Sequence, residues 1–319
     1  MRSKVLRGEM LIRPGEAIYS IQDKDNLGEL LVRAEGARLI NELGDTTYIK
    51  DAFVPYHDHA VGYETFLIDS GSVRVTLNHK TCVVEKGDII QIRPYIHHGF
   101  RYLEEGTIWR EMFHDLDMYN GVTDKETLRD FAPGLLEDET FRARRLKRLG
   151  TYYREEPIAR EVSKYDIPEI RPADKALCEH EFPGLTLRLK VGRWELDGVK
   201  EIWELLPENG LTLEYGMPFA DSPLYIVMAG SIHVEAGDES FDAVERDVVH
   251  IPPYLAHKIT VTSEGTKIFA YNVQSQLLLL VEKLKAAAAK DSAFLENWDA
   301  VQALMREHNC WLTRITRQG

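Results

Sequence analysis

The sequence predicts an all-β protein made of two related β domains, with helical segments between and after them. Three observations lead there: short strand-like runs broken by turn residues in two separate stretches, a repeat at one constant offset between those stretches, and helix-like spacing elsewhere.

The first β stretch runs from Glu16 to His114 and includes "TTYIKDAFV", "ETFLIDSGSVRVTL", "TCVVEKGDIIQIRP" and "GTIWREMF". Many short strands with Gly, Asp and Asn between them suggest a sandwich or barrel. Residues 123–164 change character: Glu, Arg, Leu and Lys recur with helical spacing, which reads as a connector. The basic cluster from Arg142 to Arg148 reads as a solvated helix face. Strand patterning returns from Leu185 to Asn272, and "SQLLLLVEKLKAAAAKDSAFLENWDAVQALMREHNCWL" then predicts one or two helices covering a sheet face or a dimer seam. The run Leu277–Leu280 is too short to span a membrane. The expected division is 1–122 for a first barrel, 123–170 for the connector, 171–275 for a second barrel and 276–319 for terminal helices, in line with the two domains that 319 residues favour.

The repeat has an offset of 159 residues. Gly71 falls on Gly230, Asp88 on Asp247, Pro94 on Pro253, Tyr95 on Tyr254, His98 on His257, Gly106 on Gly265 and Thr107 on Thr266, without a gap. Coincidence at turn glycines, a proline and a histidine together indicates a duplicated β domain.

Composition narrows the function. With 44% hydrophobic and 29% charged residues the chain reads as a soluble globular protein. A formal net charge of −13 repels phosphate backbones and anionic membranes, so neither nucleic acid nor a membrane is expected as a partner. Cys82, Cys178 and Cys310 are scattered without CxxC spacing, and no secretory or spanning segment stands out; the expected location is the cytoplasm.

The chemistry concentrates in "PYHDHAVGYETFLIDSGSVRV", Pro55–Val75. Strand residues i and i+2 share a face, so His57 and His59 point together and Asp58 points away. Glu64 can join them only across a turn, which Ala60, Val61 and Gly62 can supply. In "KGDIIQIRPYIHHGF" Gly87 and Asp88 turn the chain, Ile89–Ile92 form a strand, Pro94 ends it, and His98 opens the next. Three imidazoles and one carboxylate suit Fe, Mn, Co, Ni, Cu or Zn and leave positions open on an octahedral ion.

At these residues the chain resembles the cupin superfamily: HxH, four residues, Glu, six residues and Gly is its first motif, and "GDIIQIRPYIHHGF" is similar to its second. The resemblance implies a double-stranded β-helix, or jelly roll, in each half, and implies His57, His59, Glu64 and His98 as ligands of one divalent transition metal. Ile96 departs from a glycine common in the second motif, and neighbouring His97 competes with His98; the "HGF" ending and His257 of the repeat favour His98. At the offset, His57, His59 and Glu64 fall on Gly216, Pro218 and Pro223, so the second half is read as a degenerate, structural copy. His233 and His250 leave another site there open, while His79, His114, His180 and His308 are read as non-ligands.

The two-barrel arrangement and "YETF" resemble the quercetinase-like branch of bicupins. That resemblance implies a dioxygenase, an oxidoreductase acting on a small hydroxylated aromatic or an enol or diketone, with Glu64 doubling as a base. Tyr63 and Arg93 are further catalytic candidates, Arg93 as a carboxylate clamp, and Gln91 and Tyr95 stand beside them in sequence. Phe66 and Phe100 either wall the cavity or fill the core, and of Arg110 and Glu111 at most one can enter the barrel. Non-redox isomerase or lyase chemistry on a sugar or small acid, and small-molecule binding without catalysis, remain open. The terminal helices and open strand edges are compatible with a homodimer.

Overall fold

The computed structural model of the chain describes residues 10–35, 40–114, 118–196, 198, 200–216, 223–252, 254–273, 276–308, 310 and 312–317. Its contacts separate Ala17–Lys175 from a second unit made of Gly8–Glu16 and Ala176–Gly319.

The first unit is a jelly roll of two sheets. One has seven strands in the order Ile170–Arg171, Ile89–Ile92, Tyr63–Ser70, Thr107–His114, Ile40–Tyr48, Asn26–Glu35 and Tyr19–Gln22. The other has six, in the order Thr151–Tyr153, Phe53–His59, His98–Tyr102, Ser72–Leu77, Lys80–Glu85 and Arg160–Glu161. Phe66, Ile68 and Trp109 of the one and Val73, Val75 and Phe100 of the other belong to a single buried cluster between them. Alternation sorts the remaining side chains: Arg110, between interior Trp109 and Glu111, turns outward and makes a buried two-pronged pair with Asp45 at 2.7 and 2.8 Å.

The second unit repeats this order. Its seven-stranded sheet runs Leu11–Ile12, Val248–His250, Leu224–Ala229, Lys267–Val273, Lys200–Pro207, Leu185–Val191 and Cys178–Phe182. Its five-stranded sheet runs Glu239–Val244, Ser231–Ala236, His257–Val261, Leu211–Tyr215 and Leu312–Arg317. Turns match in detail. Gly71 and Gly230 have φ of 78° and 76°, and a Cβ there would lie 2.4 Å from Thr107 Oγ1 and 2.5 Å from Thr266 Oγ1, so both positions demand glycine. Tyr95 and Tyr254 share a left-handed φ of 66° and 64°.

The repeat also extends beyond the barrels. Helix Met118–Phe131 begins, and helix Glu139–Arg148 ends, at the same offset from Leu277–Lys290 and Trp298–Glu307. Asp138 and Asn297 cap the second helix of each pair, accepting from Phe141 N at 2.7 Å and Ala300 N at 3.3 Å. A return strand follows each pair: Thr151–Tyr153 beside Phe53–His59, and Leu312–Arg317 beside Leu211–Tyr215. The expected connector is therefore helical only through Arg148. Its remainder, including Arg160–Glu161 and Ile170–Arg171, adds strands to the first unit because open sheet edges there accept backbone hydrogen bonds. No helix among the described residues is long and apolar enough to cross a membrane.

Candidate metal centre

Phe53–His59 and His98–Tyr102 are antiparallel neighbours, with His57 directly opposite His98. His59 lies two positions on from His57 and shares its face. Gly62, at φ 82°, turns the chain into Tyr63–Ser70 and returns Glu64 to the cluster. All four side chains are buried.

The ring nitrogens are oriented by their own chain. His57 Nδ1 lies 2.7 Å from Pro55 O and His98 Nδ1 2.8 Å from Ile96 O. A carbonyl only accepts, so Nδ1 carries the proton in these bonds and Nε2 presents its lone pair. His59 Nδ1 meets Thr151 Oγ1 at 3.2 Å. Every Nε2 then converges: His57 and His59 at 3.1 Å, His59 and Glu64 Oε1 at 3.3 Å, His98 and Glu64 Oε2 at 3.1 Å. His98 Nε2 and Glu64 Oε2 are buried and face one another without a hydrogen bond. Such a group of converging ring nitrogens and a carboxylate suits a cation, and the three imidazoles lie close enough to hold one metal ion.

The electrostatics agree. Burial pushes the His57 imidazole down to about 4, with His98 adding to the effect. For His59 burial works against the charge, but the neighbouring Glu64 carboxylate outweighs it and raises the ring above its ordinary value. Burial likewise opposes ionisation of Glu64, yet the charges of His59 and His98 hold it well below the usual carboxylate range. Glu64 is thus an anion facing two rings.

Sequence neighbours of the ligands are placed elsewhere. Asp58 turns outward to Arg154 and to His97 Nε2, each at 2.9 Å, so His97 serves the outer ion pair and His98 the interior cluster. Tyr63 lies on the opposite strand face from Glu64, its ring 5.7 Å from that of His114. Gln91 is buried opposite Thr65 and accepts its hydroxyl at 2.6 Å. Arg93 and Tyr95 are exposed in the turn before His98. Alternation puts Tyr63 and Gln91 on the other strand face from the cluster, and Arg93 and Tyr95 lie beyond the strand in an exposed turn. Phe66 and Phe100 do line the ligand face, in edge contact at 5.4 Å, with Phe100 5.5 Å from the His98 ring.

Residues 28–108 match the family model of the cupin domain. The first unit carries a cupin domain. No curated protein matches the sequence. Among solved structures, a Bacillus subtilis oxalate decarboxylase studied for its Mn(II) centres is similar over 83% of this chain and 77% of its own, at 14% identity and a TM-score of 0.52. A formate complex of Lactobacillus farciminis oxalate decarboxylase matches over 84% of this chain and 86% of its own, at 14% identity and a TM-score of 0.51. At that identity the likeness is one of fold, and the fold is that of a bicupin.

Two features of this cupin site were not foreseen. Thr151 reaches His59 from the return strand, 92 residues away in sequence. Glu111 lies on the interior face, between Trp109 and Phe113; strand alternation narrows the choice to Arg110 or Glu111, but only the paired Asp45 shows which one turns outward.

In the second unit His257 occupies the place of His98, but its partners differ. Tyr215 pairs with it across the strands, as His57 does with His98. Tyr225 Oη lies 3.0 Å from His257 Nε2. Gly216 and Pro223 offer no ligand atom, and Pro218 lies outside the described residues. His233 is tied to Asp242 and Ser240 near the surface, and His250 is buried by itself on a neighbouring strand.

Proposed function

We propose that the first unit is the catalytic centre of a metal-dependent cupin enzyme, in which His57, His59, His98 and Glu64 hold one divalent transition metal from among Fe, Mn, Ni, Cu, Co and Zn. The observation that carries this reading is the convergence of three buried Nε2 atoms and the Glu64 carboxylate, with His98 Nε2 and Glu64 Oε2 left without a hydrogen bond. Such an ion supplies Lewis acidity to an oxygen-bearing substrate and, if redox-active, a site for dioxygen chemistry.

The protein's own groups do the rest. Pro55 O, Ile96 O and Thr151 fix the ring orientations, so ligand geometry needs no rearrangement when substrate arrives. Phe66 and Phe100 give the space beside the rings an apolar wall that suits a small planar molecule. Glu64, held ionised, can take up a proton from a substrate hydroxyl that the metal has acidified. These features support cleavage of a small hydroxylated aromatic or an enol or diketone by a dioxygenase.

Non-redox lyase or isomerase chemistry on a small acid is the second reading. One observation favours it: Glu111 adds a second carboxyl on the interior face, raised by desolvation and able to return a proton to a carbanion.

Elemental analysis of the purified protein beside a His57→Ala/His59→Ala variant tests the centre. About one equivalent of transition metal in the parent and none in the variant is expected; no metal in either, even after reconstitution, removes the enzyme reading. Oxygen consumption with phenols and diketones then separates the two chemistries.

A further inference from the structure

The strand Thr107–His114 presents Trp109, Glu111 and Phe113 to the barrel interior, since Trp109 and Phe113 both contact Phe66, with ring centroids at 4.2 and 6.2 Å. Glu111 lies between them, opposite Phe66 on one side and Gly44 on the other. Glu64 sits opposite Phe113, so Glu111 is its diagonal neighbour on the same face, at about 7–8 Å between Cα atoms by ordinary sheet geometry.

The Glu111 carboxyl is set in place. Trp109 Nε1 donates to its Oε1 at 2.6 Å, and Thr46 adds a hydroxyl. Around it the barrel is deep: Trp109 is 1% exposed and Phe113 6%. Glu111 is nevertheless only half-buried, unlike Trp109 and Phe113 on either side of it.

The second unit differs at this position. At the repeat offset Glu111 becomes Ala270 and Gly44 becomes Trp203, which are again opposite one another and both buried in an apolar core. Where one barrel puts an indole over a methyl group, the other puts a hydrogen atom opposite a carboxyl. Filling a barrel is the rule for folding, because a void loses dispersion contacts and burying a carboxyl is unfavourable. The second barrel also buries a carboxyl, Glu201 under the Trp203 indole, and in the first the Glu29 backbone takes up the room beside Gly44, since a Cβ there would lie 2.8 Å from Glu29 O. What sets Glu111 apart is that it stays partly accessible on the same face as Glu64.

We propose that Glu111 is a second substrate-binding carboxyl, which hydrogen-bonds the outward oxygen of a small oxygen chelate occupying the space between it and the His57, His59, His98 and Glu64 cluster. This deepens the metal-centre reading and rests on it. The ligand is an anionic or enolic chelate with an acceptor oxygen directed away from the ion. Burial raises the Glu111 carboxyl to about 7; the Trp109 and Thr46 hydrogen bonds oppose that shift, and the negative charges of Glu64 and Asp45 assist it. The other groups around it are Glu42 on the strand Ile40–Tyr48, diagonal to it opposite Phe113, and the phenols of Tyr48 and Tyr102, both held protonated by burial. Near neutral pH the acid can therefore donate.

The experiment uses the full chain with oxalate as the probe chelate. In metal-free protein, the infrared carbonyl band of a neutral carboxylic acid should fade as pH rises through about 7, and should be missing from Glu111→Gln. In metal-loaded protein, oxalate affinity should fall about tenfold per pH unit above that point, because the bound form keeps a proton. Glu111→Gln, which keeps a donor and nearly the same shape, should bind with that slope removed, and Glu111→Leu should lose affinity by tenfold or more. An unchanged slope in Glu111→Gln, unchanged affinity in Glu111→Leu, or absence of the band overturns the proposal. Failure of the protein to take up metal overturns the metal-centre reading instead, and the infrared band distinguishes the two failures.

Discussion

The two barrels share strand order, turns and helical appendages, yet their centres hold opposite kinds of chemistry. In the first, three imidazoles and a carboxylate converge, and His98 Nε2 and Glu64 Oε2 face one another without a hydrogen bond. In the second, the corresponding histidine is enclosed by phenols: Tyr215 stacks on His257 at 4.7 Å and 14°, and Tyr225 reaches its Nε2 at 3.0 Å. A phenol proton can satisfy a buried ring nitrogen as a cation would, so His257 persists as a packed, hydrogen-bonded core residue. The difference teaches that a histidine surviving in a repeat is not a surviving site; what matters is whether its inward nitrogen meets a donor or another acceptor.

The sharpest way to break the comparison is to remove one histidine from each barrel. His98→Ala should abolish metal uptake, while His257→Ala should leave metal content at the parental level. Loss of metal in both would mean that the barrels are not chemically distinct.

Next in size is the filling of the second barrel. Trp203 is fully buried over Ala270, and its indole donates to Glu201 at 2.9 Å. Trp203→Ala should destabilise the protein by about 3–5 kcal/mol in denaturant unfolding. A loss below about 1 kcal/mol would show that this barrel tolerates a void.

Acid stability offers a third test. Burial pushes the His257 ring, and likewise the His250 ring, down to about 4. Each is neutral in the folded chain but takes up a proton near 6.5 once unfolded, so the stability it contributes is complete above that pH and is lost as pH falls from about 6.5 toward 4. His257→Phe should flatten the unfolding free energy over that window by on the order of 2 kcal/mol. An unaltered pH profile would remove His257 from the account.

The smallest expected effect concerns the helices. Leu277–Lys290 buries Leu280, Val281 and Leu284, and Trp298–Glu307 buries Val301 and Met305, whereas Pro133–Glu137 and Glu139–Arg148 of the first unit bury nothing. The equivalents of Leu284 and Val301 are Lys125 and Arg142. Asn297→Ala should therefore lower global stability by about 1 kcal/mol. Asp138→Ala should loosen only its own helix, visible as faster amide exchange without a shift in the main unfolding transition.

The histidine and glutamate cluster was legible because most of its residues lie close together along the chain and a strand's period of two settles which face each occupies. The same period explains the misplaced neighbours: Tyr63 and Gln91 stand next to ligand-face residues, Glu64 and Ile92, and for that reason point away. The extended repeat was hidden. Between the helical segments only Val122 with Val281, Leu136 with Leu295 and Glu137 with Glu296 are identical, because a helix needs an apolar spacing and a cap, not particular residues.

By itself, then, the sequence determined the all-β duplication, the turns that require glycine, and the grouping of His57, His59, Glu64 and His98 in the first barrel, since each depends on local backbone geometry or on residues a few positions apart. Tertiary structure alone decided that Thr151 orients His59, that Arg110 turns out to Asp45 and leaves Glu111 inside, and that Tyr225 closes His257. These outcomes depend on which strands become neighbours and how much room lies between them, quantities set by the packing of the whole barrel.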